Sequence, residues 1–99
     1  MIIRDQFDPD LRKRIKQKKQ IAIIPVGSIE QHGPHLPIST DSDIVTEISL
    51  RFSKKIDGIL LPTINYGISD EHFPFFNLSV KKSTLSKMLE DICGSLIKN

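Results

Sequence analysis

Glu30, His32, His35 and Asp41 lie in one short, turn-rich segment, Pro25-Val-Gly-Ser-Ile-Glu-Gln-His-Gly-Pro-His-Leu-Pro-Ile-Ser-Thr-Asp41. Carboxylates together with imidazoles are the ligand chemistry of borderline divalent metals such as zinc and manganese. The Gly and Pro residues between them hold the backbone in a fixed, non-helical path. Glu30 and His32 are two apart, so in an extended segment their side chains leave the same face. Asp41 would arrive from the start of a helix, where a carboxylate also suits the helix dipole. If one carboxylate bridges two ions while Glu30 and His32 each hold one, the result is a two-metal clamp with a shared, deprotonated water as nucleophile. A plainer reading stands beside this one: Glu30 and His32 as an exposed loop pair, and Asp41 as an N-cap, a role open also to Thr40 and Ser42. His35, between two prolines, is a packing residue or a substrate-side or outer-shell contact of the site. Asp43 reads as a first-turn helix charge.

The elements that must position these groups follow from periodicity. A short helix is expected after Asp8-Pro9, with Asp8 as cap and Pro at the first helical position. Gln20-Ile-Ala-Ile-Ile-Pro-Val26 is a continuous apolar run of strand length, the kind covered on both faces. Gly27 to Thr40 is read as a loop. A helix from Asp41 or Ser42 to about Ile56 carries Ile44, Val45, Ile48, Phe52 and Ile56 as one apolar stripe, and Asp57-Gly58 stops it. Ile59 to Ile64 is a second buried strand. The loop from Asn65 to Phe76 carries Tyr66, Asp70, Glu71 and His72, and Asn77–Val80 is a short third strand. Leu85, Met88, Leu89, Ile92, Leu96 and Ile97 repeat at helical spacing behind a cap at Ser83 or Thr84. This order predicts an α/β fold, a parallel sheet with flanking helices. Gly27–Asp41 then falls at the carboxyl end of a strand, where sites form in such folds.

Composition bounds the partners. At 99 residues the chain is one small domain at most. Its net charge of +2 does not by itself imply an acidic partner. The run Arg12-Lys13-Arg14-Ile15-Lys16-Gln17-Lys18-Lys19 has no interleaved aromatic residue. It reads as a solvated helix face and not as a nucleic-acid patch. The single cysteine, Cys93, excludes an internal disulfide and is expected to be a buried thiol in the last helix. No apolar run approaches a membrane span, and no signal segment opens the chain, so a cytoplasmic protein without membrane partners is expected.

The run from Pro25 to Pro37, followed by Thr40-Asp41, resembles the signature of the creatininase (creatinine amidohydrolase) family. Ile59-Leu-Leu-Pro-Thr-Ile-Asn-Tyr-Gly-Ile-Ser-Asp-Glu-His72 is similar to that family's second segment, a strand followed by Tyr-Gly and then Glu-His. Together these cover roughly residues 20 to 98. The resemblance implies a creatininase-like three-layer α/β/α fold with two divalent metal ions, zinc or manganese with iron as a further option. It implies hydrolysis of a small-molecule amide, a non-peptide cyclic amide or formamide C–N bond, by a metal-bound hydroxide. By position, Glu30 would bind one metal, His32 the other, and Asp41 would bridge them. Glu71 and His72 would border the site as substrate-side or outer-shell residues and not as ligands.

Two departures qualify the match. The family usually reads Phe-Pro-Gly-Thr after Glu-His, whereas this chain has Phe73-Pro-Phe-Phe-Asn77, which changes the loop that would select substrate. Relatives also run to more than twice this length, and their second half supplies an Asn-Gly-His segment and a further Glu ligand. Residues 1–99 are therefore read as a single partial domain, the N-terminal half of a truncated creatininase-like fold. Three protein ligands shared between two ions fall short of the roughly four that each zinc site normally has, so weak metal binding and poor catalysis are expected of the chain alone. Creatinine hydrolysis and the formamide hydrolase step of archaeal flavin and deazaflavin synthesis are the options within the family. A catalytically inactive remnant, or one subunit of a split enzyme completed by a second chain, are the options outside it. A homo-oligomer is a further possibility, since relatives assemble as higher oligomers.

Overall fold

The computed structural model describes residues 1–99. Helix α1 (Asp8–Gln17) leads to strand β1 (Ala22–Ile23), and β2 (Ile29–Glu30) follows within the Gly- and Pro-rich segment. Helix α2 (Thr40–Ile56) returns the chain to β3 (Ile59–Leu60). A 3-10 turn at Asp70–His72 precedes β4 (Asn77–Leu78), and helix α3 (Lys82–Lys98) closes the order. The chain is α/β, with a parallel sheet flanked by helices. β1 pairs with β3 in parallel, Ala22 opposite Ile59 and Ile23 opposite Leu60. A further parallel bridge joins Val26 to Ile64. On the other side of β3, Leu60 N–H donates to the Met1 carbonyl at 2.7 Å.

The expected elements form with specific corrections. Asp8 is the first helical residue and not the cap; its carboxylate accepts from Arg12 Nε at 3.0 Å, one turn along. Lys81 and not Ser83 or Thr84 caps α3, without a side-chain bond. The run Gln20–Val26 is not covered on both faces: Ile21 is 59% exposed, and the ladder is broken at Pro25, which has no N–H to donate. The segment read as a loop contains β2. Asn77–Leu78 joins β2 in an antiparallel pair and not the parallel sheet, Ile29 facing Leu78 and Glu30 facing Asn77. Cys93 is exposed.

The largest correction concerns α2. Its apolar stripe turns outward, with Ile44, Ile48 and Phe52 each more than half exposed, while Thr40, Ser42, Ser49 and Ser53 are buried. Small side chains let the helix lie close to the strands. Buried hydroxyls are tolerable when bonded: Ser42 Oγ donates to the Ser28 carbonyl at 3.2 Å and Ser53 Oγ to the Leu50 carbonyl at 2.8 Å. Among apolar side chains with rotatable bonds, only Ile59 and Leu60 are fully buried. The radius of gyration, 15.6 Å, exceeds the roughly 13 Å of a compact chain of this length. Apolar faces of α2 and α3 are thus left uncovered. No helix is long and apolar enough to cross a membrane.

Asp57 ends α2 in the left-handed region, at φ 53°. Its carboxylate ties α1 to that end, accepting from Lys18 Nζ at 3.1 Å and Arg14 Nη2 at 3.0 Å. These cations, Lys18 first, hold its pKa below the ordinary 3.8. A depressed folded pKa means the ionised group favours the fold. That contribution is complete above pH 3.8 and is lost as pH falls through the lower folded value. Asp57→Asn, which tolerates the same backbone, should therefore flatten the acid limb of stability below about pH 4. Denaturant melts at pH 3 and pH 7 check this, and an unchanged difference between them would exclude the linkage.

Candidate metal centre

The site is assembled by the short β2–β4 pair. Gln31 N–H donates to the Phe76 carbonyl at 2.8 Å, extending the ladder by one residue. On the other edge of β2, Glu30 N–H donates to the Ile38 carbonyl at 3.1 Å, so the loop after it folds back. Glu30 is left 7% exposed, with its backbone satisfied and its carboxylate turned inward. The 3-10 turn ahead of β4 brings His72 over that carboxylate. Asp41 comes from the first turn of α2. The helix is capped at Ser39 without a side-chain cap bond, so Asp41 is not the N-cap. Ser39 Oγ bonds Asp43, the first-turn charge, at 2.8 Å.

Ser28 Oγ lies 2.5 Å from Glu30 Oε1 and 2.8 Å from Asp41 Oδ2. A hydroxyl has one proton, so it serves one carboxylate at a time. The other needs a shared proton or a cation. Hydrogen bonding from Glu30, then from Ser28, together with the field of His32, holds the Asp41 carboxyl below the usual carboxylate value. His32 Nδ1 is 3.2 Å from the Glu30 carbonyl, and its Nε2 is 3.4 Å from Asp41 Oδ1. A carbonyl only accepts, so Nδ1 carries the proton in either form of the ring, and in the neutral ring Nε2, turned toward Asp41, is free to ligate. That is the tautomer and orientation of a metal-ligating histidine. Glu30 Oε2 is buried with no hydrogen-bond partner assigned, and it lies in close contact with His72 Nε2. The rings of His32 and His72 stack with centroids 6.4 Å apart. An unpartnered buried carboxylate oxygen, a second carboxylate sharing its one donor and a bare imidazole nitrogen together fit a divalent cation.

Glu30, His32 and Asp41 are therefore brought together. His35 is not: it is exposed and makes no hydrogen bond or ion pair. His72, 27% exposed in its side chain, reaches Glu30, whereas Glu71 stays 64% exposed with Oε1 3.8 Å from His72 Nε2. Donor atoms of Glu30, Glu71 and His72 lie within 4.8 Å of one another, a second grouping with ligand chemistry. Sequence reasoning missed Ser28 and Gln31. Ser28 was discoverable, since it sits two residues before Glu30 and so on the same face of an extended segment. Gln31 bonds His72 at 3.0 Å, a contact set by β2–β4 pairing that carries no local signal.

The creatininase family, creatinine amidohydrolase, matches residues 5–99. The chain belongs to the creatininase family. The mycofactocin precursor peptide peptidase of Mycobacterium ulcerans (strain Agy99) is 42% identical over 62 residues, covering 54% of this chain and 25% of that protein. The creatinine amidohydrolase of Pseudomonas putida is 28% identical over 86 residues, 80% of this chain and 33% of the relative. A crystal structure of creatinine amidohydrolase superimposes with a TM-score of 0.89 at 26% identity, over 98% of this chain and 40% of that one. This creatininase-family chain thus spans well under half the length of the relatives it matches.

Proposed function

We propose that this chain is the metal-binding N-terminal portion of a creatininase-family amide hydrolase. Glu30 and His32 would each hold one divalent ion, and Asp41 would be shared between them. The observation that carries this reading is the pair of carboxylates, Glu30 and Asp41, meeting on the single hydroxyl of Ser28 beside the bare Nε2 of His32. Solved creatininases include a manganese form and a Zn–Zn form, which supports zinc or manganese here. When bound, such ions acidify water and polarise a carbonyl. The chain's own residues fix the donors: Ser28 orients both carboxylates, and the Glu30 carbonyl sets the His32 tautomer. Peptidase and amidohydrolase relatives both favour a C–N amide bond as the target, with peptides now included in the substrate class.

The uncovered stripe Ile44, Ile48 and Phe52 supports a second element of this reading. The chain works in association, with a complementing polypeptide or further copies covering α2. The test is hydrolysis of a panel of cyclic amides, formamides and short peptides by the zinc- or manganese-supplemented chain, read as amine release. Slow release that disappears with chelator and in Asp41→Ala is expected. Release that persists in both would exclude the proposed chemistry, and metal binding without release would make this chain an inactive remnant or assign turnover to the assembled form.

A further inference from the structure

The chain around His72 distinguishes two roles for that residue, ligand or support. Gly33 N–H can only donate, and it lies 2.9 Å from Gln31 Oε1. This fixes the orientation of the Gln31 amide, because the flipped amide would set N–H against N–H. The Gln31 Nε2 donor is then directed at His72 Nδ1, 3.0 Å away. Nδ1 must accept, so the neutral ring carries its proton on Nε2, the nitrogen that faces Glu30 Oε2. His32 shows the opposite arrangement, with Nδ1 protonated by its contact to a carbonyl and Nε2 bare. The two stacked imidazoles thus present different nitrogens to the same site, one able to ligate and one able to donate.

We propose that His72 is a positioning residue for Glu30, held as the Nε2-protonated tautomer by the relay from Gly33 through Gln31, and is not a metal ligand. The inference rests on the reading of Glu30 as a ligand and adds to it how that carboxylate is held. A ligating nitrogen must be free of its proton, so the relay argues against an ion seated among Glu30, Glu71 and His72. Its role is instead the outer-shell support that orients a ligating carboxylate: the ring faces Glu30 Oε2 and Ser28 holds Oε1, while each oxygen keeps a further lone pair for an ion. No residue near His72 in sequence indicates this; Gln31 and Gly33 reach it only through the pairing of β2 with β4.

The test has two parts. Long-range proton–nitrogen correlation spectra of the 15N-labelled, metal-free chain at pH 8 should show His72 as the Nε2–H tautomer and His32 as the Nδ1–H tautomer. An Nδ1–H tautomer at His72 would overturn the proposal. In zinc titrations, His72→Ala should weaken binding by about 10–100-fold, the range for outer-shell residues. His72→Gln, which keeps an N–H donor near the Nε2 position, should restore most of that loss, whereas a ligand would not be rescued. Equal losses in the two variants would show direct ligation. If the unaltered chain binds no zinc, the metal-centre reading fails by itself, and the tautomer spectrum still decides the role of the relay.

Discussion

Asp41→Ala should remove divalent-metal binding more completely than Glu30→Ala. Asp41 touches both sides of the site, Oδ2 meeting the Ser28 hydroxyl that also serves Glu30 and Oδ1 facing His32 Nε2 at 3.4 Å. Its loss would take a ligand from each of two ions, whereas loss of Glu30 takes one ligand from one ion. The expected loss in zinc affinity therefore exceeds the roughly 100-fold upper range for outer-shell substitutions, with Glu30→Ala retaining weakened binding. The metal-free protein should respond in the same sense but weakly. The depressed pKa of Asp41 means that its ionised form favours the fold, so metal-free Asp41→Ala should be modestly less stable than the unaltered chain. Calorimetric zinc titration and denaturant melts of the three proteins measure both effects. Equal losses of affinity in the two variants, or none, would exclude a bridging role.

Gly27→Ala should cost the fold more than any conservative change at the metal site. Gly27 N–H donates to the Ile64 carbonyl at 2.7 Å, where the β1 segment hands over to β2. A Cβ on Gly27 would lie 2.6 Å from the Cα of Ser42 and closer still to its hydroxyl. The hydroxyl can rotate away, but the α2 backbone cannot move without shifting Asp41, the preceding residue. Overpacking costs about 1–3 kcal/mol and occasionally more. A clash against backbone belongs at the upper end, about 3 kcal/mol. For a domain of this size that is a fall in Tm of roughly 12–24 °C. Gly94→Ala is the control: its Cβ would meet nothing within 4 Å, and in mid-helix it should be neutral or stabilising by up to about 1 kcal/mol. Equal melting temperatures for Gly27→Ala and the control would show that α2 does not sit this close to the loop.

What the sequence made legible divides along physical lines. The extents of α1, α2 and α3 follow from periodicity and stop signals, and the structure moves their starts by a residue or two, as fraying ends do. The pairing of β1 with β3 follows from two apolar runs joined by a helix. That Glu30, His32 and Asp41 meet was legible because they lie close together in the chain. The packed face of α2 was not legible. Ile44, Ile48 and Phe52 define a stripe, but periodicity cannot say that the strands lie against Ser42, Ser49 and Ser53 instead. In a chain covering 40% of the solved creatininase, an apolar stripe can be left without a cover. The β2–β4 pair was hidden for another reason. Each strand has two residues, too few for alternation to show. With that pair unseen, nothing in the sequence could bring His72 and Gln31 to Glu30.

The most direct test of the metal centre is zinc content per chain, by elemental analysis after exchange into chelator-free buffer with added zinc. The comparison is with a variant in which Glu30, His32 and Asp41 are all alanine. The unaltered chain should retain zinc, and the triple variant should retain none above background. Equal zinc in the two would contradict this, because the carboxylates gathered on Ser28 and the bare nitrogen of His32 would then not be what holds the ion.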